Sequence, residues 1–142
     1  MKDYHFDGHK LVLSEQQWKE RLNPEQFRVL RKKGTESAFC NAFFDSKKEG
    51  IYVCAGCGLP LFKSEAKYDS GTGWPSYLQP ICVENVSYRQ DSDAFSQRTE
   101  VVCSRCEGHL GHVFDDGPPP TGKRYCINSL ALQFMPPFSA FQ

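Results

Sequence analysis

The chain has 142 residues, seven of them cysteine, and its 17 lysines and arginines balance its 17 aspartates and glutamates. That balance argues against a nucleic-acid backbone or an anionic membrane as the main partner, and 39% hydrophobic residues exclude wholesale disorder. Seven cysteines are about 5% of the chain, below the share of a small disulfide scaffold, and an odd number cannot pair completely.

A chain of this length is expected to form one domain, residues 1–142, with its own core. The start, Met1-Lys2-Asp3-Tyr4-His5-Phe6-Asp7, has no apolar run of the signal-peptide kind. No apolar run approaches the ~18 residues of a membrane span. The expected compartment is the reducing cytoplasm, where cysteines serve as metal ligands or catalytic groups more often than as structural disulfides.

Ser14 followed by Gln17 predicts a capping box that opens a short helix through Trp18 and Leu22. Asn23-Pro24-Glu25-Gln26 predicts a second start, with an N-cap and proline at the first helical position. That helix should run through Phe27, Val29 and Leu30 to Lys33 and stop at Gly34. Its basic cluster, Arg28, Arg31, Lys32 and Lys33, suits the negative end of the helix dipole.

From Gly50 the texture changes to short β-type segments broken by glycine, proline and aspartate. Strands are predicted at 51–53, 74–78, 83–88, 99–103, 112–114 and 125–134, with the proline-rich stretch 117–122 as a loop. The fold class is therefore mainly β (α+β). A helical segment of about 14–34 precedes a β core of about 50–135, whose antiparallel sheets form a small barrel- or sandwich-like domain.

Cys54-Ala55-Gly56-Cys57 and Cys103-Ser104-Arg105-Cys106 are two knuckles with the same two-residue spacing. Each ends a predicted strand and turns at small or polar residues, so two thiolates can reach one ion. Four thiolates complete a closed tetrahedral shell, which points to one structural zinc; iron is the alternative. A closed shell leaves no open position for chemistry, so the metal would hold distant strands together.

In Arg124-Tyr125-Cys126-Ile127-Asn128 strand alternation puts Arg124, Cys126 and Asn128 on one face. A guanidinium beside a thiol favours the thiolate, the nucleophilic form, although a buried core cysteine is an equally ordinary reading of the strand alone. His109 and His112 follow the second knuckle and could move protons near neutral pH. Gly71-Thr72-Gly73-Trp74-Pro75-Ser76 permits a tight backbone path, and its tryptophan is either a core plug or the wall of a small apolar pocket.

Together these segments resemble the methionine-R-sulfoxide reductases of the B class, in their zinc-containing branch. The matching stretches are the two knuckles, Ser70 to Ser76, His109-Leu110-Gly111-His112-Val113-Phe114-Asp115-Asp116-Gly117, and Arg124 to Ser129, in the family's order over roughly residues 14 to 135. The resemblance implies reduction of the R epimer of methionine sulfoxide, peptide-bound and also free, on a β-rich fold. It implies Cys126 as nucleophile, Asn128 and Arg124 as supporting residues, and His109 and His112 as the proton-handling pair. It further implies Trp74 and Phe114 around the substrate methyl group, and zinc on Cys54, Cys57, Cys103 and Cys106. Oxidised proteins would be the substrates and thioredoxin the reductant. A monomer is expected, with no nucleic acid and no membrane as partner.

Many family members carry a resolving cysteine between the two glycines of the Gly-x-Gly-Trp-Pro segment, where this chain has Thr72. Cys40 and Cys82 remain. Cys82 is expected in an apolar strand as an inert thiol, and Cys40, between the helices and the first knuckle, is the expected resolving residue. A competing reading is a non-catalytic zinc-ribbon-like β domain that binds a peptide or small ligand, for which Cys126 would be dispensable. A thioredoxin-like oxidoreductase would need a βαβ context that the sequence lacks.

Overall fold

The computed structural model describes residues 4–34, 48–92 and 97–136. Both predicted helices form, each opened by a complete capping box. Helix α1 spans Glu15–Arg21 behind Ser14, and α2 spans Pro24–Lys32 behind Asn23. Trp18, Leu22, Val29 and Leu30 are buried and join the main core. The stop of α2 differs from the expectation. Lys33, not Gly34, takes the left-handed conformation, with φ +58. Gly34 serves close approach instead, because a Cβ there would sit 2.5 Å from Nη1 of Arg28 and 3.0 Å from its carbonyl oxygen.

Among the described residues nine strands follow: β1 Ile51–Cys54, β2 Pro60–Lys63, β3 Lys67–Tyr68, β4 Ser76–Tyr77, β5 Val86–Ser92, β6 Gln97–Cys103, β7 His109–Phe114, β8 Arg124–Ile127 and β9 Leu132–Met135. They form two sheets, one ordered β2-β1-β9 and one ordered β3-β4-β8-β7-β6-β5, in which every pairing is antiparallel. Among the described residues the sheets remain open, so the antiparallel β architecture is met without closure into a barrel. Their contact is aromatic: Phe62 of β2 stacks on Tyr77 of β4 with ring centroids 4.4 Å apart, and Tyr52 of β1 meets Tyr77 at 5.5 Å.

The predicted strand 74–78 shortens to β4, Ser76–Tyr77, and two others are interrupted by 3-10 turns. The stretch 83–88 begins as a 3-10 turn, Val83–Asn85, before β5, which leaves Cys82 half-buried ahead of the strand rather than inside it. The stretch 125–134 breaks after β8 into a 3-10 turn, Ser129–Ala131, and resumes as β9 in the other sheet. The Asn128 amide donates to Leu110 O of β7 at 2.9 Å, while Ala131 N–H turns back to Asn128 O at 3.0 Å. One continuous stretch of sequence thus supplies a central strand of one sheet and an edge of the other.

Candidate active site

Strand β8 lies between β4 and β7, so Cys126 stands opposite Ser76 on one side and His112 on the other. Tyr125 and Ile127 are buried in the core, while Arg124 and Cys126 occupy the opposite, partly open face. That face floors a cavity of about 320 Å³ lined by Cys126, Trp74, Phe114, His112, Asn128 and Thr72. Gly111 lets β7 and β8 approach here, since a Cβ on it would lie 2.0 Å from the Cys126 carbonyl oxygen.

Trp74 is presented by the loop before β4. Gly71 and Gly73 both adopt positive φ, +77 and +85, a backbone path that side chains oppose. A run of hydroxyls fixes the loop from within: Ser76 Oγ donates to Ser70 Oγ at 2.7 Å, and Ser70 Oγ lies 2.7 Å from Thr72 Oγ1. Thr72 is therefore a structural hydroxyl.

Arg124 borders the cavity but is not mainly a partner of the thiol. Its Nε and Nη2 donate to Asp116 at 2.8 and 3.1 Å, and its guanidinium carbon lies 4.4 Å from the centre of the Phe114 ring. Asp116 accounts for most of the upward push on the Arg124 pKa; Cys126 adds a smaller part.

His109 and His112 are three residues apart, which in a regular strand would send them to opposite faces. A bulge in β7 prevents this. Val101 pairs with Gly111 but Val102 pairs with His109, so Leu110 is an extra residue against β6. The two imidazoles consequently meet edge-on, with ring centroids 5.4 Å apart. His112 borders the cavity, and His109 lies behind it, 3% exposed.

Each imidazole is held by a carboxylate. His109 Nδ1 lies 2.7 Å from Glu100 Oε2, and His112 Nε2 lies 2.8 Å from Asp91 Oδ2. A carboxylate only accepts, so these nitrogens carry the ring protons. Burial holds the pKa of His109 below the usual histidine value despite Glu100. The hydrogen bond from His112 is the main cause of a lowered pKa at Asp91.

The four knuckle cysteines converge at the other end of the sheets. Their sulfurs all lie within 4.8 Å of one another, with Cys54 to Cys106 at 3.7 Å and Cys57 to Cys103 at 3.4 Å. The two turns share one backbone pattern. Cys54 N–H donates to Leu59 O and Gly58 N–H to Cys54 O; Cys103 N–H donates to Gly108 O and Glu107 N–H to Cys103 O. Gly58 and Glu107 occupy equivalent places and both have positive φ. Because Cys54 ends β1 and Cys103 ends β6, a metal ion held by this quartet would join the two sheets.

The SelR domain family matches residues 22–136. The chain belongs to the SelR family. It is 55% identical over 121 residues to the peptide methionine sulfoxide reductase MsrB of Leptospira interrogans, covering 85% of this chain and 92% of that one. The MsrB of Hahella chejuensis is 53% identical over 125 residues, with 88% and 90% covered. The chloroplastic peptide methionine sulfoxide reductase B1 of Arabidopsis thaliana is 59% identical over 122 residues, 85% of this chain and 60% of that one.

Within this SelR domain the structure gathers Cys126, His112, Asn128, Arg124, Trp74 and Phe114 around one cavity, with His109 directly behind. Cys40 lies outside the described residues. Sequence reasoning missed Glu100 and Asp91, the carboxylates that orient the histidines. Glu100 has a signal of its own, an acid at the head of the continuous buried stretch of β6. It also missed Asp116 and Arg98; the latter reaches the cavity from β6. Among the described residues no helix is long and apolar enough to cross a membrane.

Proposed function

We infer that this protein is an oxidoreductase that reduces the R epimer of methionine sulfoxide to methionine, with Cys126 as its nucleophile. One observation carries the assignment of roles: Cys126 faces His112 across paired strands, on the floor of a cavity bordered by Trp74 and Phe114. The sulfoxide's methyl group would rest against the two aromatic rings. The Cys126 thiolate attacks the electrophilic sulfur, and a proton reaches the sulfoxide oxygen from His112, with His109 supporting it. The bond between the two sulfurs then breaks as the protonated oxygen passes from the substrate sulfur to Cys126: the substrate sulfur gains two electrons and leaves as methionine, and Cys126, having given them up, is left as sulfenic acid. Asn128 braces the turn after β8, and Arg124 with Asp116 fixes the Phe114 wall.

A second thiol then condenses with the sulfenic acid, releasing water and forming a disulfide that a dithiol such as thioredoxin reduces. Cys40 is our candidate for that thiol. The donor set of the knuckles supports zinc: a tetrahedral ion with Zn–S bonds of about 2.3 Å places sulfurs about 3.8 Å apart. The quartet, at 3.4 Å and 3.7 Å for two of its pairs, fits that spacing. Zinc would be held by Cys54, Cys57, Cys103 and Cys106 and would supply cross-linking, not chemistry. Oxidised proteins are the substrates we propose, a monomer the form, and the reducing cytoplasm the setting.

The test is incubation with a peptide carrying racemic methionine sulfoxide and a small dithiol. Half of the peptide should lose one oxygen, and the residue left should be the S epimer. Consumption of both epimers, or of neither, refutes the reading. Cys40→Ser should keep this activity yet fail with thioredoxin; equal activity with both reductants would remove Cys40 from the scheme.

A further inference from the structure

Neither histidine is oriented by its own strand alone. His109 leans on Glu100 of β6, and His112 leans on Asp91 of β5. These two carboxylates share a third partner. Lys33 Nζ lies 3.4 Å from Glu100 Oε1 and 3.4 Å from Asp91 Oδ1, on the oxygens that the imidazoles leave unused. Glu100 is 4% exposed at its side chain, so a charge there needs a partner. Arg98 approaches Asp91 only to 3.7 Å, and among the described residues Glu100 forms ion pairs with Lys33 and with its histidine alone.

The backbone at Lys33 points the same way. A left-handed residue is normally glycine, and Gly34 stands next in the chain, yet Lys33 holds that conformation with φ +58. A locally unfavourable conformation persists where surrounding structure over-determines it. Here it ends α2 so that the lysine side chain, 49% exposed along its length, reaches the acid pair.

We propose that Lys33 is a positioning residue: its ammonium, shared between Asp91 and Glu100, fixes the two carboxylates that aim His112 and His109 at the Cys126 cavity. The effect runs through the acids, and Lys33 touches no reacting atom. It rests on the reading above that the histidine pair delivers the proton to the sulfoxide oxygen. Because the lysine is half exposed, its contribution is modest and screened by salt.

Three variants test this with single-turnover and steady-state kinetics on a methionine-R-sulfoxide peptide. Lys33→Gln should lower kcat on the order of fivefold with KM within about twofold, since only the placement of the proton donor changes. Lys33→Arg should restore kcat. Lys33→Gly removes the amine and relieves the backbone; it should lose as much kcat as Lys33→Gln while melting no lower than the parent. In proton NMR spectra, the hydrogen-bonded ring N–H signals of His109 and His112 should broaden or shift in Lys33→Gln and return in Lys33→Arg. Unchanged kcat and unchanged ring signals in Lys33→Gln overturn the inference, as does a Lys33→Gly variant with full kcat. His112→Asn separates this failure from failure of the mechanism. If that variant keeps parental kcat, the proton-delivery reading falls; if it loses kcat while Lys33→Gln does not, only the role of Lys33 falls.

Discussion

The protein uses cysteine in two opposite settings. At the knuckles four sulfurs crowd within 4.8 Å, and three of the four residues are buried. At β8 a single sulfur faces a cavity, half-buried, with a histidine across the strand pair. The chemistry of the side chain is the same; the number of sulfurs and the access differ. In the function proposed above, a closed quartet would turn thiols into a cross-link between sheets, whereas an isolated thiol with a proton donor and an open approach would serve as a nucleophile.

The sharpest way to break this contrast is to exchange serine for cysteine in each setting. Cys103→Ser, or strong chelation, should unfold the domain outright. A structural zinc contributes on the order of 10 kcal/mol, comparable to the whole stability of a domain this size. Loss of the cooperative melt by circular dichroism is the expected readout, and a variant that melts like the parent would show the quartet to be ornamental. Cys126→Ser should do the reverse, abolishing turnover while leaving the melting temperature and bound metal unchanged. Residual turnover above background would move the nucleophile elsewhere.

The two settings also differed in how far the sequence discloses them. Knuckle spacing is local, so Cys54 to Cys57 and Cys103 to Cys106 are readable directly. So are the caps at Ser14 and Asn23, because a capping box is written within four residues. The face that Cys126 occupies follows from alternation along β8. What escaped depends on contacts between distant segments. Pro60–Lys63 opens with proline and Lys67–Tyr68 has two residues, too little for a periodic signal. The meeting of His109 with His112 requires the bulge at Leu110, which exists only against β6. Asp91 and Glu100 become site residues through partners 21 and 9 positions away. Cys82, expected within a strand, lies ahead of one because the chain makes a 3-10 turn there first.

A subtler probe of the open setting leaves every polar group in place. In Gly111→Ala the added methyl would meet the Cys126 carbonyl oxygen at 2.0 Å and the carbonyl carbon at 3.0 Å, both backbone atoms that cannot swing away. The pairing of β7 with β8 must then shift, carrying Cys126 from His112. We expect a loss of about 2 kcal/mol in urea unfolding, in the range of overpacking substitutions, and a fall in kcat larger than the rise in KM. Gly58→Ala, with no atom within 4 Å of its added carbon, would disturb the knuckle only through its positive φ. It should cost less, on the order of 1 kcal/mol, and leave kcat alone.

The smallest expected effect is pH-dependent and belongs to His109. Burial lowers its pKa in the folded protein below the ordinary histidine value of 6.5, so between that lowered value and 6.5 the unfolded chain binds more protons than the folded one. Stability should therefore hold above pH 6.5 and decline as the pH falls through the folded-state value, flattening below it. The knuckle thiolates also protonate in acid, so the slope of the parent alone does not isolate the histidine. The difference between parent and His109→Gln does. Urea midpoints measured from pH 7.5 downward should converge, the variant losing less stability than the parent as the solution is acidified. Parallel curves would mean that Glu100 offsets the burial of His109 completely, leaving its pKa in the fold equal to that in the unfolded chain.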